Sequence, residues 1–148
     1  MRFGGEGRPS LVQISTASPN RLQAPQILGP RLLLMLLTHA DFGPSAANWQ
    51  LPGFAALEHD GTHVWQGDLC GISLTLECAV IGKAVREGGW NLAHACPRPV
   101  RSLVPAGSVY FCTLNDPIDI NTAITALHGQ HIGHDTALGR GELAVGIW

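Results

Sequence analysis

Arginines that stand beside glycines at two places in the chain are the residues whose chemistry best suggests a ligand. They are Gly4, Gly5 and Arg8 in the first group and Gly139, Arg140 and Gly141 in the second. Glycine has no Cβ, so backbone N–H groups can converge on an anion, and a guanidinium binds phosphate through parallel hydrogen bonds. Each group precedes an apolar segment that is typical of a strand. Together they favour contact with a phosphate backbone, and two ordinary turns are the alternative.

A third candidate segment, residues 88–101, lies between the two clearest predicted strands. It contains Trp90, whose ring could stack on a base, and the guanidiniums of Arg98 and Arg101. A hairpin loop with a packed Trp and solvated arginines is the alternative interpretation. If the sheet brings the three segments to one side, Arg8, Arg98, Arg101 and Arg140 form a basic patch for RNA phosphates.

Three histidines at a spacing of three residues, His128, His131 and His134, form the only cluster that suggests a metal or a proton-transfer site. Zinc sites prefer two His on one helix face or paired Cys, whereas glycines interrupt this run. The same histidines could act as general acid and base in RNA cleavage, but neither Lys nor Tyr lies near them. We therefore expect no metal, no cofactor and no enzymatic activity, with a metal-independent endoribonuclease as the alternative.

The composition limits the class of protein. The chain has 148 residues, 14% of them charged, a net charge of -2, 18 Gly and 10 Pro. This length predicts one domain over residues 1–148, and the low charge favours a subunit of an assembly. Residues 32–81 carry five acids and neither Lys nor Arg. The four Cys form no C-x-x-C pair and no apolar run is long enough to cross a membrane, so we expect a reduced, cytoplasmic protein.

Apolar patterning and turn residues predict the elements that position these groups. Alternation predicts strands, and Asp60–Gly61 predicts a hairpin turn. Asp116–Pro117 predicts the start of a helix that Gly129 ends. The predicted strands are residues 11–14, 72–81, 108–114 and 143–148; residues 31–38 are either a helix or a buried central strand, residues 15–30 a loop and residues 82–107 an irregular excursion. The fold class is α+β, a mostly antiparallel sheet with one helix.

Taken in order, several of these motifs resemble a known family. They are residues 3–8, 36–38, 89–92, 97–99, 104–111, 127–129 and 139–148. The most specific are Val-Pro-Ala-Gly-Ser-Val-Tyr-Phe at residues 104–111 and the last ten residues. The chain resembles the C-terminal half of a RAMP-superfamily subunit of type III-B CRISPR effector complexes, the subunit of the Cmr module that holds the 5′ tag of the guide RNA.

The resemblance implies a ferredoxin-like (RRM-like) RAMP domain, incomplete here, and a non-catalytic RNA-binding role. The implied partners are the CRISPR guide RNA, other RAMP subunits and the large polymerase-like subunit, without a membrane. Family members have two ferredoxin-like halves, so a separate chain that supplies the N-terminal half is also expected. A domain that only docks on other proteins is a further alternative.

Overall fold

The computed structural model describes residues 2–3, 8–9, 29–44, 49–59, 61–115 and 119–148. These residues form twelve strands and one α-helix, α1 (Ile120–Leu127). The strands are β1 (Arg2–Phe3), β2 (Arg8–Pro9), β3 (Arg31–Leu36), β4 (Ala55–His59), β5 (Thr62–Leu69), β6 (Ile72–Val80), β7 (Val85–Glu87), β8 (Trp90–Asn91), β9 (Cys96–Pro97), β10 (Arg101–Leu103), β11 (Val109–Leu114) and β12 (Leu143–Gly146). The predicted α+β class, a mostly antiparallel sheet with one helix, is confirmed.

Six strands form the main sheet in the order β12-β3-β11-β6-β5-β4, and every neighbouring pair is antiparallel. The central strand β3 settles the alternatives for residues 31–38. Its leucines alternate between full burial (Leu32, Leu34 and Leu36) and partial exposure (Leu33). Six residues between Pro30 and the following bends are too few for a stable helix, whereas a strand pairs on both sides with β11 and β12.

The hydrophobic core lies between one face of this sheet and α1. Every second side chain of the central strands points into it, together with one side of the helix. Its members include Leu32, Leu34, Leu36, Leu74, Leu76, Tyr110, Cys112, Ala123, Ile124, Leu127, Leu143 and Val145. Full burial of one leucine side chain contributes roughly 1.5–3 kcal/mol, so this face supplies most of the stability of the fold.

The ends of the helix and of the hairpin follow from local capping and turn chemistry. The N-cap of α1 is Asp119, whose carboxylate accepts a hydrogen bond from the N–H of Thr122. The prediction that Asp116 caps the helix was wrong, because Asp119 offers the same chemistry three residues later. Gly129, with a φ of 75°, follows the helix end as predicted. Strands β4 and β5 form the predicted hairpin and pair as far as His59 and Thr62, whereas residue 60 of the predicted turn lies outside the described residues.

Residues 82–107 are ordered rather than irregular. Strands β7 and β10 pair with each other, and β8 and β9 pair further out. The two nested ladders make one projecting antiparallel extension, which we call the β-arm (residues 82–107). These short strands were not predicted, because two or three residues are too few to show an alternation of apolar and polar side chains.

Other predictions fall partly or wholly outside the described residues. The predicted strand at residues 11–14 lies outside them, and of the predicted loop at 15–30 only residues 29 and 30 are described, as a bend. Cys78 and Cys112 both lie in apolar runs, which predict buried thiols; Cys112 is buried, but Cys78 is exposed. The strand pairing shifts register between Phe111 and Cys112, which places Cys78 opposite Phe111 on the second face of the sheet. In the described part of the chain α1 is the longest helix, and its eight residues are too few to cross a membrane.

Candidate nucleic-acid interface

Three of the four predicted arginines surround one pocket. The pocket has a volume of about 330 Å³ and lies between the base of the β-arm and the segment 135–140. Arg98 and Arg101 line it from the β-arm, and Arg140 lines it from the other side. Segments that are about 40 residues apart in the chain therefore bring guanidiniums together, as the basic-patch prediction requires.

Arg101 links three parts of the chain at one wall of the pocket. Its Nη1 atom lies 3.0 Å from a carboxylate oxygen of Asp41 and 2.6 Å from one of Asp135. Asp41 is 6% exposed and also accepts a hydrogen bond from the N–H of Gly43. The hydrogen bond to Asp135, then that to Asp41, and the two negative charges raise the pKa of Arg101 above its ordinary value. Arg101 therefore stays charged, and the two aspartates more than balance its charge.

Arg140 closes the opposite wall. Its Nη2 atom donates to both carboxylate oxygens of Glu87, at 2.7 and 2.6 Å, so the pair joins the segment 135–140 to strand β7. The Arg140 side chain is only 14% exposed, whereas that of Glu87 is 50% exposed. The second terminal nitrogen, Nη1, is buried and has no hydrogen-bond partner in the described part of the chain. Arg140 is therefore held in place while part of its donor capacity is unused.

Arg98 differs from the other two arginines of the pocket. It follows strand β9, and its backbone N–H donates to the carbonyl oxygen of Gly89 across the β-arm, at 2.8 Å. The side chain is exposed. Among the described residues no carboxylate pairs with it, so Arg98 carries the uncompensated positive charge of the pocket.

The glycines on either side of Arg140 shape the backbone. Gly141 has a φ of 72°, and a Cβ there would clash with the carbonyl oxygen of Ile132. Its N–H donates to the carbonyl of His39, and that of Gly139 donates to Thr136. Both amide hydrogens are thus used inside the chain, so these glycines aim Arg140 rather than offer free donors to an anion, which corrects that part of the prediction.

Of the first glycine group, Gly4, Gly5 and Arg8, the structure describes only Arg8. Gly4 and Gly5 lie outside the described residues. Arg8 belongs to strand β2, which pairs with β1, and its backbone alone is described. The structure therefore brings together three of the four arginines, and the place of Arg8 in the basic patch stays a prediction.

The sequence also matches a family model along residues 1–148, and that model is described as CRISPR-associated protein (Cas_Cmr3). The chain belongs to this family. The resemblance to a subunit of the type III-B Cmr module, a multi-subunit CRISPR effector, is confirmed, whereas the assignment to the C-terminal half of that subunit stays a prediction. Among curated proteins, none matches the chain.

In this Cas_Cmr3 chain the three histidines do not meet at one point. The Nδ1 atom of His131 lies 2.8 Å from the carbonyl oxygen of Arg140, and Nδ1 of His128 accepts from the N–H of Val145. The ring of His134 packs beside Gly43. The histidines thus connect the loops around α1 to neighbouring segments. Within the described ranges no three His, Cys, Asp or Glu side chains are grouped so that they could hold a metal.

The acids that pair with the pocket arginines were not predicted from the sequence. Glu87 and Asp135 are paired with Arg140 and Arg101 across 53 and 34 residues of chain. Asn91 was also missed: its side-chain oxygen accepts from the N–H groups of Ala93 and His94 and so shapes the tip of the β-arm. One feature of the sequence could have indicated the role of Glu87: it is the single acidic residue in the basic segment 82–101.

Proposed function

We propose that this chain is a non-catalytic, RNA-binding subunit of the Cmr effector complex, and that the pocket at the base of the β-arm holds the 5′ tag of the guide RNA. The observation that carries the proposal is the convergence of Arg98, Arg101 and Arg140 on one pocket of a chain whose net charge is -2. With a net charge of -2, the chain as a whole does not attract RNA electrostatically. Its arginines matter because they are concentrated in one place.

The order of the central strands supports a ferredoxin-like fold for the single proposed domain, residues 1–148. Numbered by their succession in the chain, β3, β6, β11 and β12 become strands one to four, and their order across the sheet is four-one-three-two. Helix α1 lies between the third and fourth of them, as in a split βαβ unit. The hairpin of β4 and β5 stands between the first and second strands, where a ferredoxin-like fold has its other helix.

The state of the three arginines suggests how RNA would bind. Arg98 can meet a phosphate without losing a partner. Arg101 and Arg140 are paired with Asp135 and Glu87, which are 39% and 50% exposed. The Arg140 side chain itself is only 14% exposed, and Arg101 is also paired with Asp41, which is 6% exposed. A phosphate can therefore replace only the two partly exposed carboxylates, those of Asp135 and Glu87, while Arg101 keeps its pair with Asp41. The guanidiniums are then already placed for contact with the phosphate backbone.

The test is RNA binding by the Cmr complex assembled with this chain, at several salt concentrations. Each phosphate contact lowers the slope of log affinity against log salt by roughly one when it is removed. Arg98→Ala should weaken binding of guide RNA and reduce the slope by about one. Arg86→Ala is the matched control, because Arg86 is exposed on the same β-arm but does not line the pocket. Equal effects of the two variants would refute the pocket as the RNA site.

A docking-only domain is the second candidate, and one observation favours it. Two of the three pocket arginines are neutralised by carboxylates, which is how a purely structural junction would look. In that case the triple variant Arg98→Ala, Arg101→Ala, Arg140→Ala would assemble less well with the large polymerase-like subunit. Guide RNA binding by complexes that do assemble would then be unchanged, whereas the RNA-binding proposal predicts its loss.

A further inference from the structure

The main sheet has a second face, on the side away from the core and α1. Side chains that share a row of the pairing register appear on it together: Leu33, Phe111 and Cys78 in one row, and Met35, Val109 and Val80 in the next. These side chains are half-buried or exposed rather than fully buried. The face therefore offers apolar surface that the core does not use.

An aromatic and cationic cluster lies on this face. The Trp148 ring meets Phe111 edge to face, with ring centres 5.3 Å apart and planes at 82°. The guanidinium carbon of Arg31 lies over the Trp148 ring, 4.8 Å from its centre. The indole N–H donates to the carbonyl oxygen of Cys112 at 3.2 Å, which fixes the ring, and Trp148 still has 40% of its surface exposed.

A strip of polar side chains runs beside this cluster. Thr113 pairs with both Arg31 and Thr75 in the strand register, and Thr75 pairs with Gln66. The side chains of Gln66 and Thr75 form a connected network with Asn115 and Ser73: Gln66 donates to Thr75, Thr75 donates to Asn115, and Asn115 donates to Ser73. The Thr113 hydroxyl instead donates to the carboxylate of Glu77. The network is at the surface. If an apolar surface of another protein docked here, these groups would lose their hydrogen bonds to water. Bases and ribose hydroxyls of RNA could replace those hydrogen bonds.

We propose that Trp148 and Arg31 form a stacking platform for one unpaired RNA base on the second face of the sheet. Bases stack on aromatic rings and on guanidinium planes, and a cation over an exposed ring adds positive charge close to where the phosphates of a stacked nucleotide would run. The proposal rests on the proposed function in one respect, namely that this chain meets RNA. It concerns residues that the pocket does not use.

The two sites respond differently to salt, and this distinguishes them. Stacking of one base contributes about a five- to hundredfold increase in affinity without neutralising a phosphate. Trp148→Ala should therefore weaken RNA binding by the assembled complex in this range while the salt slope is unchanged. Arg98→Ala should instead reduce the slope. Trp148→Phe keeps a ring and should recover most of the affinity, which shows that the loss is not one of folding.

A covalent readout makes the test independent of affinity. Guide RNA that carries single 5-iodouracil substitutions is irradiated in the assembled complex, and the crosslinked peptide is identified by mass spectrometry. We expect a crosslink at Trp148, its loss in Trp148→Ala, and its persistence in Arg98→Ala. Val80→Ala is the control, because Val80 is exposed on the same face without an aromatic ring.

The outcomes of these experiments distinguish the platform from the pocket, and the first two overturn the platform. If no position of the RNA crosslinks to Trp148 while Arg98→Ala still lowers the salt slope, the platform is wrong and the pocket stands. If Trp148→Ala and Val80→Ala impair assembly of the complex alike and leave RNA binding intact, the face binds a protein. A crosslink at Trp148 with no effect of Arg98→Ala supports the platform and refutes the pocket.

Discussion

The helix-covered face of the sheet and the pocket at the base of the β-arm are held together by different forces. The first is a set of fully buried leucines from neighbouring strands and α1. The second depends on charged pairs: Arg101 with two aspartates, and Arg140 with Glu87. Burial of apolar surface is insensitive to salt, whereas exposed ion pairs are screened by it. The packed sheet and helix therefore support a pocket in which the carboxylates paired with Arg101 and Arg140 can be replaced by the anionic groups of a ligand.

The largest effect should follow from removal of a core leucine. Leu34 is fully buried in the central strand β3, and Leu33 beside it lies half-buried on the second face. Leu34→Ala should lower the free energy of unfolding by about 2–5 kcal/mol, because it removes buried methyl groups and leaves a cavity. Leu33→Ala should cost clearly less. Urea denaturation of both variants measures the difference, and equal losses would contradict the proposed division between the two faces.

The next effect concerns the backbone beside Arg140. Gly141→Ala would force a Cβ against the carbonyl of Ile132 at a positive φ, so the segment must move. We expect a loss of more than about 1 kcal/mol and weaker RNA binding, because Arg140 would no longer be aimed at the pocket. Gly139 has a similar φ of 79° but open space at its Cβ position. Gly139→Ala is therefore the control for conformational strain alone, and it should be the milder variant in both denaturation and RNA binding.

The same contrast explains what the sequence could predict. Alternation in residues 72–80 is a local signal, so the bounds of β6 and β11 follow closely from the sequence. For β4 and β5 the sequence predicts only a hairpin turn, and for β3 it leaves helix and strand open. The pairing of Arg140 with Glu87 depends on how the β-arm folds back, and no local spacing encodes a contact across 53 residues. The pocket arginines were found from their residue type and nearby glycines. Their carboxylate partners were missed because an isolated acid has no such pattern.

Alkaline pH should weaken the core without involving the pocket. Burial, with smaller effects of Cys78 and Glu77, raises the pKa of the Cys112 thiol from its ordinary value near 9 to about 12. Between these values the folded protein keeps the proton and the unfolded chain releases it. The free energy of unfolding should therefore fall by up to about 1.4 kcal/mol per pH unit above pH 9.

Denaturation between pH 9 and 10 precedes most of the contribution of the Tyr110 hydroxyl, whose pKa burial also raises and whose ordinary value is 10. Burial raises the pKa of the Cys70 thiol as well, so Cys112→Ala is compared with Cys70→Ala in the same interval. Cys112→Ala should flatten the pH dependence in that interval. Cys96→Ala is the control, since Cys96 is exposed. A decline that is as steep in Cys112→Ala as in the original chain would show that other groups cause it.

The variant Glu87→Gln should change the free energy of unfolding least, but its effect on RNA binding is the most informative. Glu87→Gln keeps one of the two acceptor oxygens for Arg140, replaces the other by an amide NH2 group, and removes the charge that neutralises the guanidinium. The free energy of unfolding should fall by no more than about 1 kcal/mol, as for other exposed pairs. RNA binding should become tighter, and its salt slope steeper by roughly one, because Arg140 would now meet a phosphate as an uncompensated cation. Glu58→Gln, on the exposed edge strand β4, removes the same charge away from the pocket. Equal gains in both variants would reflect the net charge of the chain, whereas a gain confined to Glu87→Gln would show that the carboxylate of Glu87 occupies the place that RNA takes.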